Sequence, residues 1–183
     1  ARDVSLSADG NTAFVADDSS GLQIIDVSNP ASPSLTSSYD TSGGAYGVVL
    51  TADGNTALVA DGTSGLQIIN ISNLSNPSLT GTSDTSGDAW DVSLSADGNT
   101  AFVADGGSGL QIFNVSNLSS PSLTSTFNTS GFAYHVTLSA DGNTAFVADD
   151  SSGLQVIDVS NPASPVLSAN YNTSGRAFEV ALS

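Results

Sequence analysis

Cysteine is absent from the sequence, and so are lysine and methionine. Without cysteine there are no disulfides, no thiol chemistry and no cysteine-ligated zinc. Positive charge is almost missing: only Arg2 and Arg176 face 18 acidic residues, giving a net charge of −16. A phosphate backbone needs a basic footprint, so nucleic acid is excluded as a partner. Anionic membrane surfaces are disfavoured for the same reason. No apolar run approaches the length of a membrane span, so membrane insertion is not expected. No signal-peptide pattern is visible. The chain starts at Ala1, within a repeated pattern, and is expected to be a processed product or a piece of a longer chain.

What is present is repetition. Over 183 residues, enough for one domain with a sizeable core, the sequence recurs with a period of 44 and no gaps. The units are 1–44, 45–88, 89–132 and 133–176, and 177–183 begins a fifth. ADGNTA recurs at 8–13, 52–57, 96–101 and 140–145, and SGLQ at 20–23, 64–67, 108–111 and 152–155.

Each unit carries four strand signals. Asp3 to Ser7 alternates Val4 and Leu6 with polar residues. Thr12 to Ala16 and Leu22 to Val27 are apolar on both faces, so both faces must be covered. Ser34 to Asp40 is mostly Ser and Thr, which fits an outer edge. Ala8-Asp9-Gly10-Asn11 supplies a tight turn, and Pro33 sits where an edge strand tolerates it. Four antiparallel strands in a unit of this length predict an all-β fold, a β-propeller of four-stranded blades: four blades plus one extra inner strand. A β-solenoid is the competitor, but its coils have no reason to grade from apolar inner to polar outer strands.

The third strand carries a family resemblance. GLQIIDVSNP (21–30) and GLQVIDVSNP (153–162) resemble the LVIVD repeat, with AFVAD (13–17) before and Pro33 after in keeping. The second and third copies depart from it, with Asn70 and Asn114 for the Asp and Leu74 and Leu118 for the Pro. That pattern of replacement points to a structural Asp. The resemblance implies a β-propeller in a secreted or cell-surface protein, and it supplies no catalytic residues or cofactor.

Function is sought where the copies differ. The second position of each unit is Arg2, Tyr46, Trp90, Tyr134 and Phe178; the third is Asp3, Gly47, Asp91, His135 and Glu179; the residue before each later unit is Gly44, Asp88, Phe132 and Arg176. In a propeller this connection lies near the central opening. Tyr46, Trp90, Asp91, Tyr134, His135 and Phe178 are the expected ligand-binding set, because aromatic rings stack on apolar faces while polar groups fix orientation. The competing reading is that the rings fill gaps between blades.

Other candidates are weaker. Asp9, Asp53, Asp97 and Asp141 each supply one carboxylate to a turn, without the close spacing of a calcium loop. Asp17-Asp18 and Asp149-Asp150 would be better for a cation, but the second and third copies have Gly62 and Gly106 there, and no metal is assigned. His135 with Asp91 and the abundant serines lacks a nucleophile motif, so the chain is read as a non-enzyme. Sequons beginning at Asn70, Asn73, Asn114, Asn117, Asn128 and Asn172 arise readily in so Ser/Thr-rich a chain. The expectation is an extracellular or surface module that binds a glycan or protein. The alternative is a structural or adhesive repeat protein, a homo-oligomer formed through its terminal strands.

Overall fold

The computed structural model describes residues 1–182. It contains sixteen strands and no helix among the described residues. Blade 1 is β1 (Asp3–Leu6), β2 (Thr12–Ala16), β3 (Leu22–Asp26) and β4 (Ser34–Tyr39). Blade 2 is β5 (Gly47–Leu50), β6 (Thr56–Ala60), β7 (Leu66–Asn70) and β8 (Ser78–Ser83). Blade 3 is β9 (Asp91–Leu94), β10 (Thr100–Ala104), β11 (Leu110–Asn114) and β12 (Ser122–Phe127). Blade 4 is β13 (His135–Leu138), β14 (Thr144–Ala148), β15 (Leu154–Asp158) and β16 (Val166–Tyr171). Every sheet is an antiparallel meander in chain order.

The first turn is built by its aspartate. Asp9 accepts from the Ser7 hydroxyl at 2.6 Å, from the Asn11 backbone N–H at 3.0 Å and from the Asn11 side-chain amide at 3.0 Å. The other three copies repeat the arrangement around Asp53, Asp97 and Asp141. Every outer strand carries a bulge: Ile24 pairs with Ser37 but Ile25 with Leu35, so Thr36 is extra. A bulge bends and twists a polar edge and makes it a poor template for further pairing.

The core lies between blades. One cluster joins Phe14, Leu22 and Ile24 of blade 1 to Val48, Val59 and Ile69 of blade 2. Two equivalent clusters join blades 2 to 3 and 3 to 4. Each blade therefore has a trailing face, which meets the next blade, and a leading face, which meets the previous one. β1, β5, β9 and β13 run side by side at the inner edge.

Polar ties accompany the apolar ones. Asp61 of blade 2 is fully buried and accepts from the Thr41 hydroxyl at 2.5 Å and the Gly43 N–H at 2.9 Å, both from the end of unit 1. Asp149 does the same for Thr129 and Gly131. Asp105 accepts from Gly87 and from Gln111. Asp149, read above as half of a candidate cation pair, is thus satisfied by protein donors. No group of three or more potential ligands that could hold a metal ion occurs among the described residues.

The fifth inner strand is where the structure differs from expectation. Ala177 pairs with Asp150 in an isolated bridge, as Ala45 pairs with Asp18, but Phe178–Leu182 make no ladder. A first strand is held by the second strand of its own blade, as β2 holds β1, and this segment has no such partner. Ser183 lies outside the described residues.

Candidate functional site

The inner ends of the units converge on one depression of about 500 Å³. All six residues of the expected binding set, Tyr46, Trp90, Asp91, Tyr134, His135 and Phe178, line it. Arg2, Asp3, Arg176 and Glu179 join them. These four stand in the same variable columns, which is the signal that could have added them to the set.

The aromatic side chains form a continuous belt. Tyr46 stacks on Trp90 with centroids 4.6 Å apart and planes 16° apart. Trp90 meets Tyr134 edge-on at 5.1 Å, and Tyr134 meets Phe178 at 5.0 Å. Phe132, from the column just before unit 4, packs against both Trp90 and Tyr134. Offset and edge contacts of this kind each contribute roughly 0.5–1.5 kcal/mol beyond burial, so the belt holds its own shape. It also fills space between blades, so the two readings of these rings are not exclusive. The Trp90 Nε1 is buried without a hydrogen-bond partner among the described residues.

The only two basic side chains of the protein stand at the two ends of this belt. Arg2 lies over the Tyr46 ring at 5.2 Å and binds Asp18 through Nε at 3.1 Å and Nη2 at 2.7 Å. Arg176 lies over the Phe178 ring at 4.9 Å, pairs with Asp150 and donates to the Tyr134 hydroxyl at 2.9 Å. The Asp18 hydrogen bond raises the Arg2 pKa, and the Asp150 hydrogen bond raises that of Arg176.

The Asp/Gly alternation in the second turn now has an explanation. Asp18, Gly62, Gly106 and Asp150 all hold a left-handed backbone, with φ of 52°, 52°, 51° and 48°. Asp tolerates that region better than most residues. Asp stands where an arginine reaches the turn, at Asp18 and Asp150. Gly stands where a ring covers it. A Cβ on Gly106 would meet the Phe132 ring at 2.8 Å, and one on Gly62 the Tyr46 ring at 3.2 Å.

At the floor, Asp91 is buried and accepts from the Val136 N–H at 2.9 Å, and Asp3 accepts likewise from Val48 at 2.8 Å. Burial raises the Asp91 pKa, with the nearby His135 opposing the rise. His135 Nε2 is 3.6 Å from Asp91 Oδ2, too long for a hydrogen bond. Gly47 makes the room: a Cβ there would lie 2.8 Å from the Asp91 backbone. The floor therefore combines blade-to-blade ties with polar groups at the depression.

Radially arranged four-stranded meanders, with apolar inner and polar outer strands, define a β-propeller architecture. The LVIVD repeat model matches residues 1–41, 43–85, 86–129 and 131–173, and the chain belongs to the LVIVD-repeat family. No curated protein sequence matches it. Among solved structures it is similar to a functionally unknown protein from Desulfotomaculum acetoxidans, at 20% identity and a TM-score of 0.77 over 95% of this chain and 56% of that one. It is also similar to a protein from Lactobacillus plantarum, at 18% identity and a TM-score of 0.80 over 93% of this chain and 57% of that one. A third likeness is to the Cps50 (Swd1) β-propeller domain of Myceliophteria thermophila, at 16% identity and a TM-score of 0.69 over 92% and 59% of the two chains. At these identities the likeness is one of fold. The chain spans less than three fifths of the length of each.

Proposed function

We propose that the protein is a non-catalytic binding module, acting outside the cell or on its surface, whose ligand is a glycan seated against the Tyr46–Trp90–Tyr134 belt. The observation that carries this reading is convergence. The second and third columns of the repeat change in chemical kind from blade to blade, from basic to aromatic and from acidic to neutral, and their side chains gather around one depression. Core columns vary only among apolar residues, as Phe14, Leu58 and Phe102 do, because packing dictates that class; a rim dictated by packing alone would keep to one class as well.

The chemistry of the lining favours a sugar. Ring faces suit the apolar faces of pyranoses, while Asp3, Glu179 and the arginines offer acceptors and donors for hydroxyls. A net charge of −16 works against polyanionic partners. The lining contains no serine, threonine, cysteine or lysine, and two of its three carboxylates, Asp3 and Asp91, are tied to backbone N–H groups of the next blade.

Trp90 is the only tryptophan, so its fluorescence reports on this site alone. A glycan array should identify binders, and titration of a binder should shift that emission. Trp90→Ala and Tyr134→Ala should each weaken binding by about tenfold or more, as truncation of a central aromatic contact does. Undiminished binding by both variants, or no binding across the array, would overturn the proposal.

A further inference from the structure

The depression carries negative charge that the fold itself does not match. Three carboxylates line it, those of Asp3, Asp91 and Glu179. The sequence has only two basic side chains, and each already pairs with an aspartate of a second turn: Arg2 with Asp18, and Arg176 with Asp150. Asp91 has the single histidine, His135, beside it. Asp3 and Glu179 have no ion pair among the described residues. Their charge is left for a ligand to match, and a net charge of −16 gathers cations toward the opening.

Asp3 is held in place for such a role. Its Oδ1 accepts from the Val4 N–H at 2.7 Å and its Oδ2 from the Val48 N–H at 2.8 Å. A carboxylate offers about four acceptor positions, so two backbone donors fix its orientation and leave room for a ligand's N–H. Glu179, which is exposed, adds a longer and freer arm. The rings supply the other half of a cation site, because aromatic faces attract positive charge. This belt already holds two cations of the chain's own: Arg2 lies 5.2 Å from the Tyr46 centroid, and Arg176 lies 4.9 Å from that of Phe178 and 5.9 Å from that of Tyr134. Indole attracts cations most strongly of the aromatic side chains. Trp90 lines the depression with no cation over it among the described residues.

We propose that the glycan bound here is a basic one, built of amino sugars with free amines. Its ammonium groups meet Asp3 and Glu179 while its pyranose faces lie on Trp90 and Tyr134. This rests on the glycan reading above and narrows it. Ring stacking alone selects no charge, whereas carboxylates beside ring faces favour a sugar that carries a cation close to its apolar face. An N-acetylated sugar has the same ring faces without the charge, so comparing the two isolates the ammonium.

The test sets a glucosamine tetrasaccharide with free amines against the same chain fully N-acetylated, in mild acid where the amines are protonated. Calorimetry and Trp90 emission report binding. The free-amine form should bind about tenfold more tightly, the gain expected of a cation held by ring faces and carboxylates. That preference should shrink as added salt screens it. Asp3→Asn keeps an acceptor for the Val48 N–H, and Glu179→Gln alters an exposed position, so both should fold, as circular dichroism would show. Combined, they should bring the ratio of the two affinities close to one. Tetralysine, which has charge and no pyranose, should bind far more weakly than the amine form. Equal affinities for the two tetrasaccharides, or a preference that survives the double variant, would overturn this inference and leave the glycan reading standing. Tetralysine binding as tightly as the amine form would overturn it in favour of charge alone. Binding of neither tetrasaccharide would also overturn it, and a blank glycan array besides would remove the wider reading with it.

Discussion

Removing the Asp61 carboxylate should cost far more than removing that of Asp17, although the two occupy the same position of the repeat. Asp61 is fully buried and accepts two hydrogen bonds across the interface of blades 1 and 2. Hydrogen bonds to a charged group contribute about 1.5–3 kcal/mol each, and a buried donor left unpaired costs about 1–3 kcal/mol. Desolvation offsets part of this, as the raised pKa of Asp61 attests. The balance for Asp61→Ala is about 3 kcal/mol, which at roughly 2–4 °C per kcal/mol lowers the melting temperature by about 6–12 °C. Among the described residues the Asp17 carboxylate has a partly exposed pair with the amino terminus, and such a pair is worth about 0–1 kcal/mol. Thermal melts followed by circular dichroism would measure both. Equal losses would refute the reasoning, because they would place the role of this aspartate within its own turn and not between blades.

Two further outcomes follow from the same geometry. Gly65→Ala and Gly54→Ala share a φ of +68°, but a Cβ on Gly65 would lie 2.5 Å from the Ser83 carbonyl oxygen while Gly54 has open space. Gly54→Ala should cost about 1 kcal/mol of backbone strain, and Gly65→Ala several times that or a failure to fold; similar melts for the two would show that torsion alone matters. Stability should also pass through a maximum in mild acid. Burial raises the pKa values of Asp61, Asp105 and Asp149, so the folded state holds those protons more tightly; this contribution is complete below the ordinary 3.8 and is lost as pH rises through the raised values. Turn hydrogen bonds lower Asp9, Asp53, Asp97 and Asp141, whose contribution is present above 3.8 and is lost as pH falls through the lowered values. Melting temperatures that fall steadily from neutral pH downward would contradict the first assignment.

The strands were legible because turn chemistry and hydrophobic alternation marked every boundary to within a residue or so. The first strand ends at Leu6 and not at Ser7, because Ser7 already bonds across the turn to Thr12. The third ends at Asp26, and Val27 hydrogen-bonds to Asn11 beyond the ladder. The convergence of Tyr46, Trp90, Tyr134 and Phe178 was legible too, since equal repeats set equal positions around one axis. What a strand pattern does not carry is contact between successive blades. The role of the Asp61 column depends on donors from the preceding unit, so within one blade it reads as a free acid and a candidate cation ligand. The arginines were visible in the variable columns, but their partners, Asp18 and Asp150, stand 16 and 26 residues away along the chain.

The left-handed position of the second turn carries a consequence for how such a surface diversifies. The backbone there accepts either Asp or Gly without change of path, and the choice is matched by a residue near one end of the same 44-residue unit: Arg2 with Asp18, Tyr46 with Gly62, Phe132 with Gly106, Arg176 with Asp150. Because both members lie inside one unit, duplication or recombination of whole units moves them together. The rim is therefore a set of exchangeable tiles, each bringing its own support, whose order along the gene sets the sequence of rings and charges around the opening.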